Sequence, residues 1–116
     1  MIVTLCGSMR FFEQMLQVAA DESAKGNIVL APFCVVASQD QTSELKGMLD
    51  RMHFDKIDMS ESIVVITNQN GYIGTSTSRE MAYALARGKG MDIREFDIPD
   101  TEHLGVGTGH HRGGAS

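Results

Sequence analysis

The sequence predicts a small doubly wound α/β fold: a mostly parallel sheet of four to five strands with helices on both faces. Three observations predict it. Short apolar runs at residues 2–6, 28–31 and 62–67 read as buried strands. Between them lie stretches whose apolar residues recur at helical spacing. The resulting strand–helix alternation implies parallel neighbours joined by right-handed crossovers.

Each element can be justified in turn. Residues 2–6 start the chain as a central strand, broken by Gly7 and Ser8. From Met9 to about Lys25, Phe12, Met15, Leu16, Ala19 and Ala20 mark one helical face, and Glu13, Gln14, Gln17 and Asp21 fall largely on others. Gly26 and Asn27 supply a stop. Residues 28–31 form the second strand, ended near Pro32. Residues 33–38 either extend that strand or cross the top of the sheet as a loop, and 38–43 are a polar link. Leu45, Met48, Leu49 and Met52 predict a second helix running to about Ile57. Residues 62–67 are the third strand, and the third helix runs from Thr77 or Ser78 to Arg87, ended by Gly88, Lys89 and Gly90. Residues 91–96 alternate weakly and read as a fourth strand near an edge. The flavodoxin/Rossmann-like domain so predicted spans 1–100. Residues 101–116 hold too few apolar side chains to offset the entropy of ordering, and are expected to be a flexible tail.

Composition bounds the function. A chain of 116 residues is one domain, and with 42% hydrophobic and 22% charged residues it folds instead of remaining disordered. A net charge of -5 argues against binding polymeric nucleic acid, while leaving room for a local phosphate site. No apolar stretch approaches the ~20 residues of a membrane span, so no membrane partner is expected. No basic region precedes an apolar one at the N-terminus, so no secretory signal is read. Cys6 and Cys34 form no metal pattern and sit in or beside apolar runs, as buried free thiols do. A cytoplasmic location follows from reduced thiols. His110 and His111 could bind a metal, but a lone pair lacks the further ligands zinc wants, and a solvated tail or expression remnant is favoured.

Three stretches carry chemistry. Gly7, Ser8 and Arg10 follow the first strand: glycine permits close approach of a ligand, the helix start offers unpaired N–H groups, and arginine can fork onto phosphate. Ser8 as a plain N-cap beside a solvated Arg10 is the structural alternative. The second stretch, 49–61, is rich in ionisable groups before the third strand. Asp55, Lys56 and Glu61 read as a solvated face, while His53 and Asp58 stand equally between surface and site. The third, 71–80, is a hydroxyl-rich loop between strand and helix. Gly71 and Gly74 permit unusual backbone angles, Tyr72 can stack on a base or sugar, and Thr75, Ser76 and Ser78 surround a second helix start. Glu80 lies just inside that helix. Thr77 and Glu80 also fit a capping box, in which the carboxylate would merely reach back to its own backbone.

These residues resemble the nucleoside 2-deoxyribosyltransferase-like superfamily, which includes nucleoside deoxyribosyltransferases and nucleoside 5′-monophosphate N-glycosidases. The resemblance spans roughly residues 2–96. It rests on the opening 3–10, the strand 63–66, and Gly74 through Glu80 running into Met81, Ala82, Tyr83 and Ala84. It implies that Glu80 is the nucleophile, that Gly7, Ser8 and Arg10 hold the 5′-phosphate, and that Ser76 joins them. It implies a homodimer or larger assembly, because the family builds sites across subunits. His53 stands, with Asp58 near it, where the transferases use an aspartate near the base. Asn68, Gln69 and Asn70 stand where those enzymes carry another acid.

The expected activity is cleavage of a base–sugar bond in a nucleoside or nucleoside monophosphate, with water favoured over a second base as acceptor. Glu80 attacks the anomeric carbon, Asp58 or His53 protonates the leaving base, and no metal or cofactor is required. The alternative is a non-catalytic nucleotide-binding module, sensory or regulatory, in which Glu80 only caps its helix. A third reading, an interaction protein with Met48, Met52 and Met59 at an interface, ranks last because such methionines are more often core filler.

Overall fold

β1 (Ile2–Cys6) and β3 (Ser62–Asn68) are apolar on both faces, and this places them at the centre of a sheet. The computed structural model describes residues 1–32 and 42–99. In it β2 (Ile28–Leu30) and β4 (Gly90–Phe96) flank the central pair, giving a parallel sheet in the order β2-β1-β3-β4. Four strands are present among the described residues, and β4 lies at an edge with alternating exposure, as its weak pattern predicts.

The alternation of side chains sorts the core into two layers. Val3 and Leu5 of β1 and Val64 and Ile66 of β3 pack against Phe11, Met15 and Val18 on the side of α1 (Phe12–Ala24). Cys6, Ile63 and Val65 face the opposite layer with Ile57 of α2 (Ser43–Asp58) and Ala84 of α3 (Thr75–Ala86). Helices therefore cover both faces, as the doubly wound reading requires. The strand order turns back between β1 and β3, which is where ligands bind in open sheets of this order, past the carboxyl ends of the strands.

Two element starts differ from the sequence reading. A single 3-10 turn, Met9–Phe11, precedes α1: it drives Phe11 into the core and leaves Arg10 exposed. α3 starts at Thr75 instead of Thr77 or Ser78, because Gly74 occupies the cap position and the Ser78 N–H closes the first turn onto its carbonyl at 2.9 Å. The readings of residues 33–38, of Cys34 and of the tail 101–116 fall outside the described residues.

Candidate active site

α2 is fixed against β1 by a small polar joint. The Thr4 hydroxyl donates to the Lys56 carbonyl at 3.0 Å, and the Ser60 hydroxyl donates to the same oxygen at 2.9 Å. One turn back, this docking hangs His53 over the last residue of β1, with Nε2 3.6 Å from Cys6 Sγ. α3 approaches from the other side. Thr77, Glu80 and Ala84 recur at helical spacing along its inward face, Thr77 and Ala84 being buried. Glu80 Oε1 comes within 3.6 Å of His53 Nε2, with 17% of its side chain exposed.

The capping box is not formed. The cap of α3 is Gly74, which makes no side-chain hydrogen bond, and Thr77 and Glu80 are both interior helix positions. Glu80 is thereby released from a local duty and turned toward a cavity of about 680 Å³, within the range of small-molecule sites. One wall is the turn after β1, with Gly7, Ser8 and Met9. Another is the loop and helix start after β3, with Tyr72 and residues 74–77. The third is one stripe of α2, Lys46, Leu49, Asp50, His53 and Lys56.

Burial sets the protonation of the central groups. Loss of water pushes the Glu80 carboxyl from 4.5 up to about 7; the hydrogen bond from the Cys6 thiol opposes this, Asp50 adds to it, and Arg79 opposes it. His53 is pushed down to about 4, first by burial and then by Lys56, with Asp50 acting against both. The Cys6 thiol is pushed well up by burial and by Glu80 beside it. At neutral pH the imidazole is therefore uncharged, and His53 Nδ1 is buried with no hydrogen-bond partner among the described residues.

The structure brings together Gly7, Ser8, His53, Tyr72, Gly74, Ser76 and Glu80. A Cβ on Gly7 would meet the Ile66 carbonyl oxygen at 3.1 Å and Met15 Cε at 3.2 Å, so a side chain there would press on β3 and on α1. Ser8 is an N-cap, accepting from the Arg10 N–H at 3.2 Å, and also faces the cavity. Gly74 has ordinary extended angles, so of the two loop glycines only Gly71, at φ 70°, uses the freedom expected of both.

Three expected residues stand apart. Arg10 is turned outward over the Tyr72 ring, 4.9 Å from its centroid, because Phe11 takes the inward position of that turn. Ser78 is exposed beyond the cavity wall. Asp58 lies at the amino end of the strands, where it accepts from the Tyr83 hydroxyl at 2.8 Å and pairs with Arg87 at 3.5 Å. The C-terminal end of α2 leads directly into β3, so Asp58 is carried away from the carboxyl edge. Lys56, expected on a solvated face, instead borders the cavity and donates to the Ala31 carbonyl at 2.6 Å.

Sequence reasoning missed Cys6 as a site residue, and Lys46, Leu49 and Asp50. The three on α2 precede His53 by seven, four and three residues, the spacing of one helix face. Placing His53 in the site would have named them.

No family model matches the chain, and no curated protein matches it. Solved structures do share its fold. A 2-deoxyribosyltransferase from Bacillus psychrosaccharolyticus superposes with a TM-score of 0.71 at 14% identity, covering 82% of this chain and 72% of that one. A 2-deoxyribosyltransferase from Leishmania mexicana gives 0.63 at 20% identity, covering 90% and 71%. A CMP N-glycosidase from Clostridium botulinum gives 0.56 at 15% identity, covering 90% and 79%.

Proposed function

We propose that this chain, which shares its fold with two 2-deoxyribosyltransferases and a CMP N-glycosidase, is an N-glycosidase of that superfamily, cleaving the base–sugar bond of a nucleoside monophosphate. The observation that carries this reading is the placement of Glu80. Its carboxyl is free of any capping duty, largely buried, and aimed into a cavity at the reversal of strand order.

Ionised Glu80 attacks the anomeric carbon. The C–N bond breaks with its electron pair passing to the base, and a glycosyl ester forms on the carboxylate. Water then adds to the same carbon and frees Glu80, and the proton it loses passes through solvent to the departed base. Hydrolysis is favoured over transfer to a second base. The Gly7–Ser8 turn and the uncapped start of α3 at Ser76 both border the cavity and would hold the 5′-phosphate. Phosphate bound there supplies remote binding energy that positions the sugar. Arg10 would join only by leaving the Tyr72 ring. Asp58 has no part in this scheme, and His53, uncharged at neutral pH, lines the site 3.6 Å from Glu80 without acting as an imidazolium acid. Asp50 gives the α2 wall an acid that can face the base.

The test is base release from a panel of nucleoside monophosphates, followed by chromatography, with wild-type, Glu80→Gln and Glu80→Ala proteins. Both substitutions are expected to lower the rate by at least about 10³-fold, as loss of a nucleophile does. Equal rates in all three proteins would remove the assignment. Binding of nucleotides with no turnover by the wild-type protein would favour a binding module.

A further inference from the structure

The centre of the site holds more than a nucleophile. Cys6 Sγ, His53 Nε2 and a Glu80 carboxylate oxygen lie within 4.8 Å of one another. Sγ to Nε2 is 3.6 Å, and Nε2 to Oε1 is 3.6 Å. The second distance is too wide for a hydrogen bond, so imidazole and carboxyl face each other across a gap they do not close. The gap has a recognisable size. Around a four-coordinate zinc ion, with bonds of about 2.3 Å to sulfur and about 2.0–2.1 Å to nitrogen and oxygen, tetrahedral angles put S and N about 3.6 Å apart and N and O about 3.4 Å apart.

We propose that Cys6, His53 and Glu80 form a three-ligand site for a divalent cation of the zinc class, with its fourth position open to the cavity. The donor set selects the ion. Thiolate, imidazole and carboxylate suit zinc and its borderline-soft neighbours, whereas magnesium and calcium take oxygen ligands. Charge supports it as well: one thiolate and one carboxylate cancel the two positive charges in a place that water reaches poorly. The ligands stand on three separate elements, β1, α2 and α3, all anchored in the core, so the arrangement is rigid before the ion arrives. Binding displaces the thiol proton of Cys6 to solvent, the sulfur lone pair passing to the metal.

The ion takes no part in the reaction proposed above, but its site uses Glu80 and His53, which line the same cavity. On that reading, a bound cation ties up the attacking oxygen, and the loaded protein is inactive until the metal is removed.

The test uses the full chain, reduced and free of chelators, titrated with cobalt(II). One equivalent is expected to give a thiolate-to-cobalt charge-transfer band together with the visible bands of a four-coordinate ion, both displaced by zinc. Cys6→Ser should abolish the charge-transfer band, and His53→Ala and Glu80→Gln should each weaken binding at least about tenfold. Cys34→Ser and the double substitution His110→Ala/His111→Ala should leave the spectrum intact. Absence of the band, or its survival in Cys6→Ser with loss in Cys34→Ser, overturns the site. Should circular dichroism show Cys6→Ser unfolded, unaltered binding by folded Glu80→Gln overturns it equally. Cobalt binding through Cys6 in a protein that releases no base from any nucleotide would sink the glycosidase reading alone. Base release without cobalt binding would sink the metal site alone.

Discussion

Glu80 owes its position to a two-residue difference in where a helix begins. With the start at Thr77 it would fold back on its own cap; with the start at Thr75 it points inward beside His53. Burial then gives it a consequence that can be measured. A carboxyl held at about 7 is largely protonated at pH 6 and ionised at pH 8, and only the ionised form attacks carbon. The value of kcat/KM for base release should therefore rise about tenfold per pH unit below 7 and level off above it. A flat profile from pH 5 to 8 would show that Glu80 ionisation does not govern the reaction. The opposite sign, activity falling through pH 7, would make the protonated carboxyl the working species and Glu80 an acid. His53 moves the other way, its burial and Lys56 keeping it uncharged over this range, so it adds no second limb near neutrality.

At the scale of elements, the strands were legible and the helix starts were not. Strands β1 and β3 announce themselves because both faces are buried, which leaves an unbroken apolar run. A helix start is decided by which backbone groups find partners. Thr75, Ser76, Thr77 and Ser78 are each plausible near a cap, and the sequence carries no mark that Gly74 takes that place. The same limit applies to Asp58 and Arg10, which do not line the cavity: a helix pattern says that a residue is present, while its direction depends on the neighbour it packs against. Cys6 is the buried free thiol the sequence suggests, but its neighbours in the site lie on α2 and α3, far along the chain, so its place beside Glu80 and His53 was not legible. Asn68 shows how an element end is built. Its buried side-chain oxygen accepts from the N–H groups of Asn70 at 3.1 Å and Tyr72 at 3.0 Å, holding the loop that carries Tyr72 to the cavity. Asn68→Ala should lower stability by about 1–3 kcal/mol in urea unfolding and raise hydrogen exchange at Tyr72. Asn68→Asp, which keeps the acceptor, should recover most of it. Equal loss in both variants would mean that the oxygen is not what holds the turn.

For the molecule as a whole, the open side of the cavity suggests its covering. Met9 and Met52, each 46% exposed, sit on the cavity wall, and Leu16 is exposed on α1. We expect a homodimer or larger assembly, as the resemblance implies, with a mass in light scattering of at least twice the 12.6 kDa of one chain. A fully active monomer would refute this. No helix among the described residues is long and apolar enough to cross a membrane.

The separation of Cys6, His53 and Glu80 along the chain has a temporal consequence. Cys6 and His53 are 47 positions apart, and Glu80 arrives with the last helix described. No nascent fragment ending before α3 contains all three, and a collapsed intermediate with α3 undocked cannot assemble them. Turnover and cobalt colour would thus both report completed assembly of the native topology. Their recovery during refolding should lag behind any optical signal of helix content.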